Sequence, residues 1–212
     1  MAVISTIITE LRTDLSDDSS TRFTDTQLLN LFKKAIRRAN RICQRNGIQF
    51  AKKKVALATV ASQDYVDISV TVSDFDVWIG LFQDSTHDEI IKKTEQEWET
   101  IATATALDYC LLDQANSKIY FNGTPASVLA LTLWYYPTID PSAYTTATST
   151  PWAGRLDDII MEYVGIRAKN IDEMNIVVDT QLLTDMESQI VSAYSPNAVT
   201  LADGGGWMKN MG

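Results

Sequence analysis

The segment from Thr24 to Arg45 leaves the chain little choice of local structure. Turned at about 100° per residue, Leu28, Leu31, Phe32, Ala35, Ile36, Ala39, Ile42 and Cys43 fall on one arc. Lys33, Lys34, Arg37, Arg38, Arg41 and Arg45 fall on the opposite arc. The start is specified chemically. Thr24 is placed to act as N-cap, Gln27 completes a capping box, and Phe23 and Leu28 occupy the two staple positions. Asp25 in the first turn and arginines further on suit the helix dipole. Asn46-Gly47 supplies the stop. The pattern predicts a core helix with a basic outer face.

That face stands out because the whole chain is acidic, with a net charge of −9. No Asp or Glu interrupts the stretch from Lys33 to Arg45. Two readings compete: a solvated helix surface, or a docking face for an acidic partner or a phosphate backbone. The acidic balance of the remaining chain disfavours direct DNA binding.

The elements around this helix follow from period. Residues 3–15 predict a first amphipathic helix, with Val3, Ile4, Ile7, Ile8, Leu11 and Leu15 at helical spacing; the polar run 16–21 ends it. From Lys52 the period becomes strand-like at Val55, Leu57 and Thr59, and again from Tyr65 to Val72. Further strands are expected at 75–82 and 128–136, and a hairpin pairs 109–112 with 118–121. Residues 84–88 read as an exposed turn, and Thr94 with Glu97 forms a second capping box that opens a short helix. The stretch 137–154, rich in Pro, Thr, Ser and Ala, predicts a long loop of functional or interfacial use. Helix returns at 155–169, and a last helix runs to about Tyr194 with Leu183, Met186, Ile190 and Tyr194 on its buried side. After Pro196 no core-forming period survives. Residues 197–212 read either as a disordered tail or as a C-terminal arm that folds on a partner, with Trp207, Met208, Lys209 and Met211 as contacts behind the hinge Gly204-Gly205-Gly206.

No catalytic, cofactor-binding or metal-binding set can be assembled from these residues. His87 is the sole histidine and sits in a polar turn with Asp84 and Asp88; two cysteines and one histidine build neither a disulfide scaffold nor a zinc site. The glycine run 204–206 lacks the Lys and Ser/Thr of a phosphate loop. Aromatics interleaved with basic residues, as in single-strand binders, are absent, Phe50 beside Lys52-Lys53-Lys54 being the nearest case. The expectation is therefore a chain that is not an enzyme and needs no cofactor, with a hydrolase built on His87 a distant competitor. Neither a signal peptide nor a membrane span is expected.

The order of segments carries a resemblance. A helix is followed by Arg22-Phe23-Thr24-Asp25 and Leu28-Leu29, then by the basic helix. Ser62-Gln63-Asp64-Tyr65 precedes extended chain, Tyr135-Tyr136-Pro137 ends the hairpins, and a helix pair starts at Leu156-Asp157-Asp158. This resembles the head-to-tail adaptor (connector, or head-completion) proteins of tailed bacteriophages, over most of residues 3–194. The resemblance implies an α+β, mainly α fold: a four-helix bundle with a β-rich subdomain inserted between the second and third helices, plus an extended C-terminal arm. On this chain the bundle is expected at 1–50 and 155–194, the insertion at 51–154 with the long loop 137–154, and the arm at 195–212.

The resemblance further implies a structural protein of the virion neck, assembled in the host cytoplasm. It would form a homo-oligomeric ring, expected as a dodecamer, beneath the portal protein, extending the DNA channel and attaching a tail or nozzle protein. Genome packaging, ejection and tail assembly would pass through that ring. Double-stranded DNA would traverse the lumen without sequence-specific binding, which an acidic lining favours, and no membrane would be involved. Lys33, Lys34, Arg37, Arg38, Arg41 and Arg45 would then dock a protein partner, and reversing Arg37, Arg38 and Arg41 would impair assembly more than folding. The alternative is a nucleic-acid-binding regulator that uses the basic helix 33–45.

Overall fold

The capping box forms as the sequence specifies. Gln27 N–H donates to Thr24 Oγ1 at 3.2 Å, and Thr24 N–H donates to Gln27 Oε1 at 2.8 Å. The helix ends at Asn46, where Gly47 takes φ 69° and Ile48 N–H reaches back to the Cys43 carbonyl. The computed structural model describes residues 3–20, 22–104, 106–170 and 176–195, for 176–180 the backbone alone. The described α-helices are α1 (Ile4–Asp14), α2 (Asp25–Arg45), α3 (Glu95–Trp98), α4 (Asp157–Asn170) and α5 (Ile176–Tyr194). The strands are β1 (Lys53–Ala58), β2 (Tyr65–Asp67), β3 (Phe75–Gln83), β4 (Glu89–Lys93), β5 (Tyr109–Asp113), β6 (Lys118–Phe121) and β7 (Ala130–Pro137). The chain divides into two compact units, Met1–Ala51 with Ile139–Gly212, and Lys52–Thr138.

In the helical unit α2 lies at the centre. Leu28, Phe32, Ala35, Ile36, Ala39 and Cys43 are fully buried, so the whole apolar arc is used. α2 packs on α4, and α1 and α5 each pack on both. This is a central pair with flanking helices. Among the described side chains of α5 the buried positions are Leu182, Met186 and Ile190, at i, i+4 and i+8. Leu183, expected inside, is half-buried, because the phase of the helix puts Leu182 in line with Met186.

The turn between α1 and α2 is fixed by a buried carboxylate. Asp17 Oδ2 accepts from Arg12 Nη1 and from Phe23 N–H, both at 2.9 Å, and Oδ1 accepts from Arg22 N–H at 2.9 Å. The other end of the Arg12 fork reaches Asp25 in the first turn of α2 at 2.6 Å.

The segment 137–154 is more ordered than a loop reading implies. It holds 3₁₀ turns at Pro141–Ala143 and Pro151–Gly154. Its Thr148 and Thr146 carbonyls accept from Ile4 and Ser5 N–H at 3.0 and 2.8 Å. They satisfy donors at the start of α1, whose N-cap Val3 offers no side-chain acceptor. Trp152, Ala153 and Gly154 take successive left-handed conformations before α4.

The second unit is one seven-stranded sheet in the order β1-β7-β3-β4-β5-β6-β2. Leu57 from one edge strand and Val66 from the other belong to the same buried cluster, with Leu81, Ile90, Cys110, Ile119, Leu131 and Leu133 between them. The sheet therefore curls into a nearly closed barrel around one core. The inner residues alternate on β7 as Leu131, Leu133 and Tyr135.

This architecture corrects the expected mainly-α four-helix bundle with a β-rich appendage. The protein is a mixed α/β fold, with five α-helices and a seven-stranded sheet among the described residues. Period identifies helices but not their arrangement, and it undercounts strands. β4, Glu-Ile-Ile-Lys-Lys, carries no alternation. It is held by antiparallel pairing to β3 and parallel pairing to β5.

A parallel pair needs a crossover, and residues 94–108 supply it with α3, whose own capping box forms at Thr94 and Glu97. The crossover returns against Gly123, which bridges Ala104. A Cβ on Gly123 would overlap the Ala104 carbonyl oxygen. Gly123→Ala is expected to destabilise the protein by about 1–3 kcal/mol, read as a lowered urea midpoint.

Candidate docking surface on the basic helix

The six basic residues of α2 do not form one uniform face. Lys33 Nζ donates to the Ser142 carbonyl at 2.9 Å, and Arg37 Nη2 pairs with Asp140 at 3.4 Å, so both meet the first 3₁₀ turn of 137–154. Hydrogen bonds from Ser142, and then Arg37, hold Asp140 below the usual carboxylate range. Arg45 pairs with Glu187 on α5, which also lies below its ordinary range, chiefly through the Arg45 hydrogen bond. Arg38 adds to the positive potential at Glu187. Lys34 and Arg41 are exposed, and among the described residues neither has a hydrogen-bond or ion-pair partner. They lie seven residues apart on one side of the helix, about 10 Å along its axis.

The sequence predicted the stripe but not this division. Lys33, Arg37 and Arg45 help tie the helical unit together, the last two through carboxylates and Lys33 through a neutral carbonyl, and Lys34 and Arg41 are left exposed without a partner among the described residues. The partners Asp140, Ser142 and Glu187 lie about a hundred or more positions away in sequence, where no local pattern could reveal them. Trp207, Met208, Lys209 and Met211 of the expected arm lie outside the described residues.

The sheet also brings together residues that the sequence keeps apart. Lys54 on β1 stands in register with Trp134 on β7, with its Nζ 5.9 Å from the ring centroid. Lys52 lies over Tyr136 and Lys92 over Trp78 at 5.9 and 5.7 Å. Basic and aromatic residues are therefore brought together in space by the fold, and for Lys54 and Trp134 the signal that would have found them is the β1–β7 register. Phe50, the nearest candidate in sequence, is instead packed inside the helical unit. It sits edge-on to Tyr194 at 4.9 Å and under the Arg155 guanidinium at 5.4 Å.

The remaining candidates for chemistry have structural surroundings. His87 lies in the exposed β3–β4 turn with φ 62°, and its N–H donates to the Gln83 carbonyl. Cys43 and Cys110 are buried, and burial pushes both thiols up to about 12, so neither offers a thiolate near neutral pH. Among the described residues no group of three or more His, Cys, Asp or Glu side chains could hold a metal ion. No described helix is long and apolar enough to cross a membrane.

Comparison with known families places the chain as a whole. The family model described as SU10 adaptor protein matches residues 4–197. The chain belongs to the SU10 adaptor family. The match runs through both units, from the first residue of α1 to just beyond α5. SU10 adaptors are phage head-to-tail adaptors, so this chain is a structural phage protein that meets other head or tail components. No curated protein matches the chain.

Proposed function

We propose that this SU10 adaptor forms a ring in the virion neck, beneath the portal protein, that extends the DNA channel and carries a tail or nozzle protein. The observation that carries this reading is the family match over residues 4–197. The charge distribution supports it. A chain of net charge −9 repels a passing duplex, and the positive charge of α2 is confined to one outer arc, part of it already taken up by Asp140 and Glu187. A strip of that size suits a protein contact better than a phosphate backbone, since two cations of the stripe are already paired with Asp140 and Glu187. Residues 195–212 would reach along the portal or a neighbouring subunit, with Trp207 and Met208 as anchors. Twelve copies are the expected stoichiometry, with assembly in the host cytoplasm.

The test is electron microscopy and native mass spectrometry of the full chain mixed with the portal protein of the same phage. A ring on the portal is expected, and a chain lacking 197–212 should remain folded but attach more weakly. Failure to join any ring-shaped assembly would overturn the reading. Salt-sensitive binding to free DNA without portal capture would instead favour the regulator.

A further inference from the structure

We propose that residues 207–211 dock in a groove between α4 and α5 of their own chain, so that the arm is stored there until the portal takes it. The proposal rests on the reading of Trp207, Met208, Lys209 and Met211 as partner contacts, and it adds where they lie before assembly.

α4 carries two apolar stripes. Ile160, Val164 and Ala168, at i, i+4 and i+8, are buried in the helical unit. Ile159, Tyr163 and Ile166, at i, i+4 and i+7, form a second stripe that is only half-buried. With Leu182 and Met186 of α5 this second stripe lines a groove of about 110 Å³. The polar side chains on the groove are Glu162, Asp185 and Gln189, none of them basic. Gln189 Nε2 donates to Glu162 at 2.9 Å. The Asp185 carboxylate is exposed and has no partner among the described residues. An apolar floor between carboxylates fits apolar side chains that bring a cation with them, and the same carboxylates repel a phosphate.

That composition occurs just beyond α5 in the same chain. Across 196–212 the sole basic residue is Lys209, and it stands between Met208 and Met211 with Trp207 before them. Unbranched methionine side chains adapt to a shallow apolar floor, and a lysine among them meets Asp185 at the rim. The reach is sufficient. Asp185 lies ten residues before Ser195, about 15 Å along the helix. Residues 196–207, fully extended, span up to about 40 Å, so Trp207 can return to the groove of its own chain. Burial of apolar surface supplies the attraction, and the exposed ion pair adds little energy but fixes the placement. Because groove and arm belong to one chain, docking needs no encounter between molecules and persists on dilution.

Trp207 reports the docking in the full-length protein. Subtracting the emission of Trp207→Phe from that of the wild type isolates this indole, since the other tryptophans appear in both spectra. Trp207 is expected to emit to the blue of its position in urea-unfolded protein, to be about threefold less open to acrylamide quenching, and to stay so on dilution. Two changes are then measured, each with and without Trp207→Phe and with folding checked by circular dichroism. Met208→Ser with Met211→Ser, which leaves the groove untouched, should shift the docked-to-free ratio about tenfold toward free. Asp185→Lys should shift it about threefold, and adding Lys209→Asp should recover the wild-type ratio. A Trp207 as quenchable as in the unfolded chain overturns the proposal, as does shielding that Asp185→Lys leaves unchanged. Shielding that disappears on dilution also overturns it, because the arm would then lie on a second copy. Portal capture by the wild type judges the neck reading separately: a chain whose Trp207 is exposed beforehand can still join the portal, and a chain whose Trp207 is shielded can fail to.

Discussion

Replacing Asp17 by alanine is expected to cost about 3–5 kcal/mol of stability, as breaking a buried ion pair does. Asp17 is 3% exposed and the Arg12 it holds is 6% exposed, so little water is at hand to replace the lost interaction. The substitution removes three acceptor contacts at once. Arg12 Nη1 loses its carboxylate, and the N–H groups of Arg22 and Phe23 lose theirs. Arg12 would keep Asp25, but that carboxylate is 65% exposed and its pairing is screened by solvent. Asp17→Asn should cost less, since one oxygen can still accept from a backbone N–H. For a chain of this length the alanine variant should melt about 10 °C below the wild type, and a shift within two degrees would show that the turn between α1 and α2 is held by other contacts.

The contrast between such sites and the rest of the molecule explains what the sequence makes legible. Motifs closed within a few residues are readable in advance: the capping boxes at Thr24–Gln27 and Thr94–Glu97 both form. So is the apolar arc of α2, because a single period fixes which side chains share a face. Long-range pairing is not readable. Lys33 finds Ser142, and Lys54 meets Trp134, through the fold and not through any local pattern. The helix arrangement failed for the same reason. Period shows that four long helices exist, but not that α2 and α4 form a centre with α1 and α5 beside them. Of the candidate docking face, the sequence supplied the residues and their common side. The structure supplied the distinction between charges spent on Asp140 and Glu187 and charges left over.

Phe32→Ala is expected to destabilise the protein by about 3–5 kcal/mol through the cavity it leaves, and the value of the experiment lies in its pairing with Lys34→Glu/Arg41→Glu. Phe32 has no exposed surface and lies on the inner arc of α2, the helix on which α1, α4 and α5 all pack. Lys34 and Arg41 lie on the outer arc of the same helix with no partner among the described residues, so their reversal should change stability by no more than about 0.5 kcal/mol. Urea unfolding should therefore separate the two variants in one direction. Capture of the still-folded protein by the portal protein should separate them in the other, with Phe32→Ala retaining it and the charge reversal weakening it. Reversing Arg37, Arg38 and Arg41 together cannot make this separation. Arg37→Glu would set a carboxylate against Asp140, and Arg38→Glu would add negative charge beside Glu187, so the triple variant would lose stability as well as docking. If Lys34→Glu/Arg41→Glu lowers stability as much as Phe32→Ala does, the outer arc is part of the packed structure, and the division of α2 into an inner spine and an outer docking strip fails.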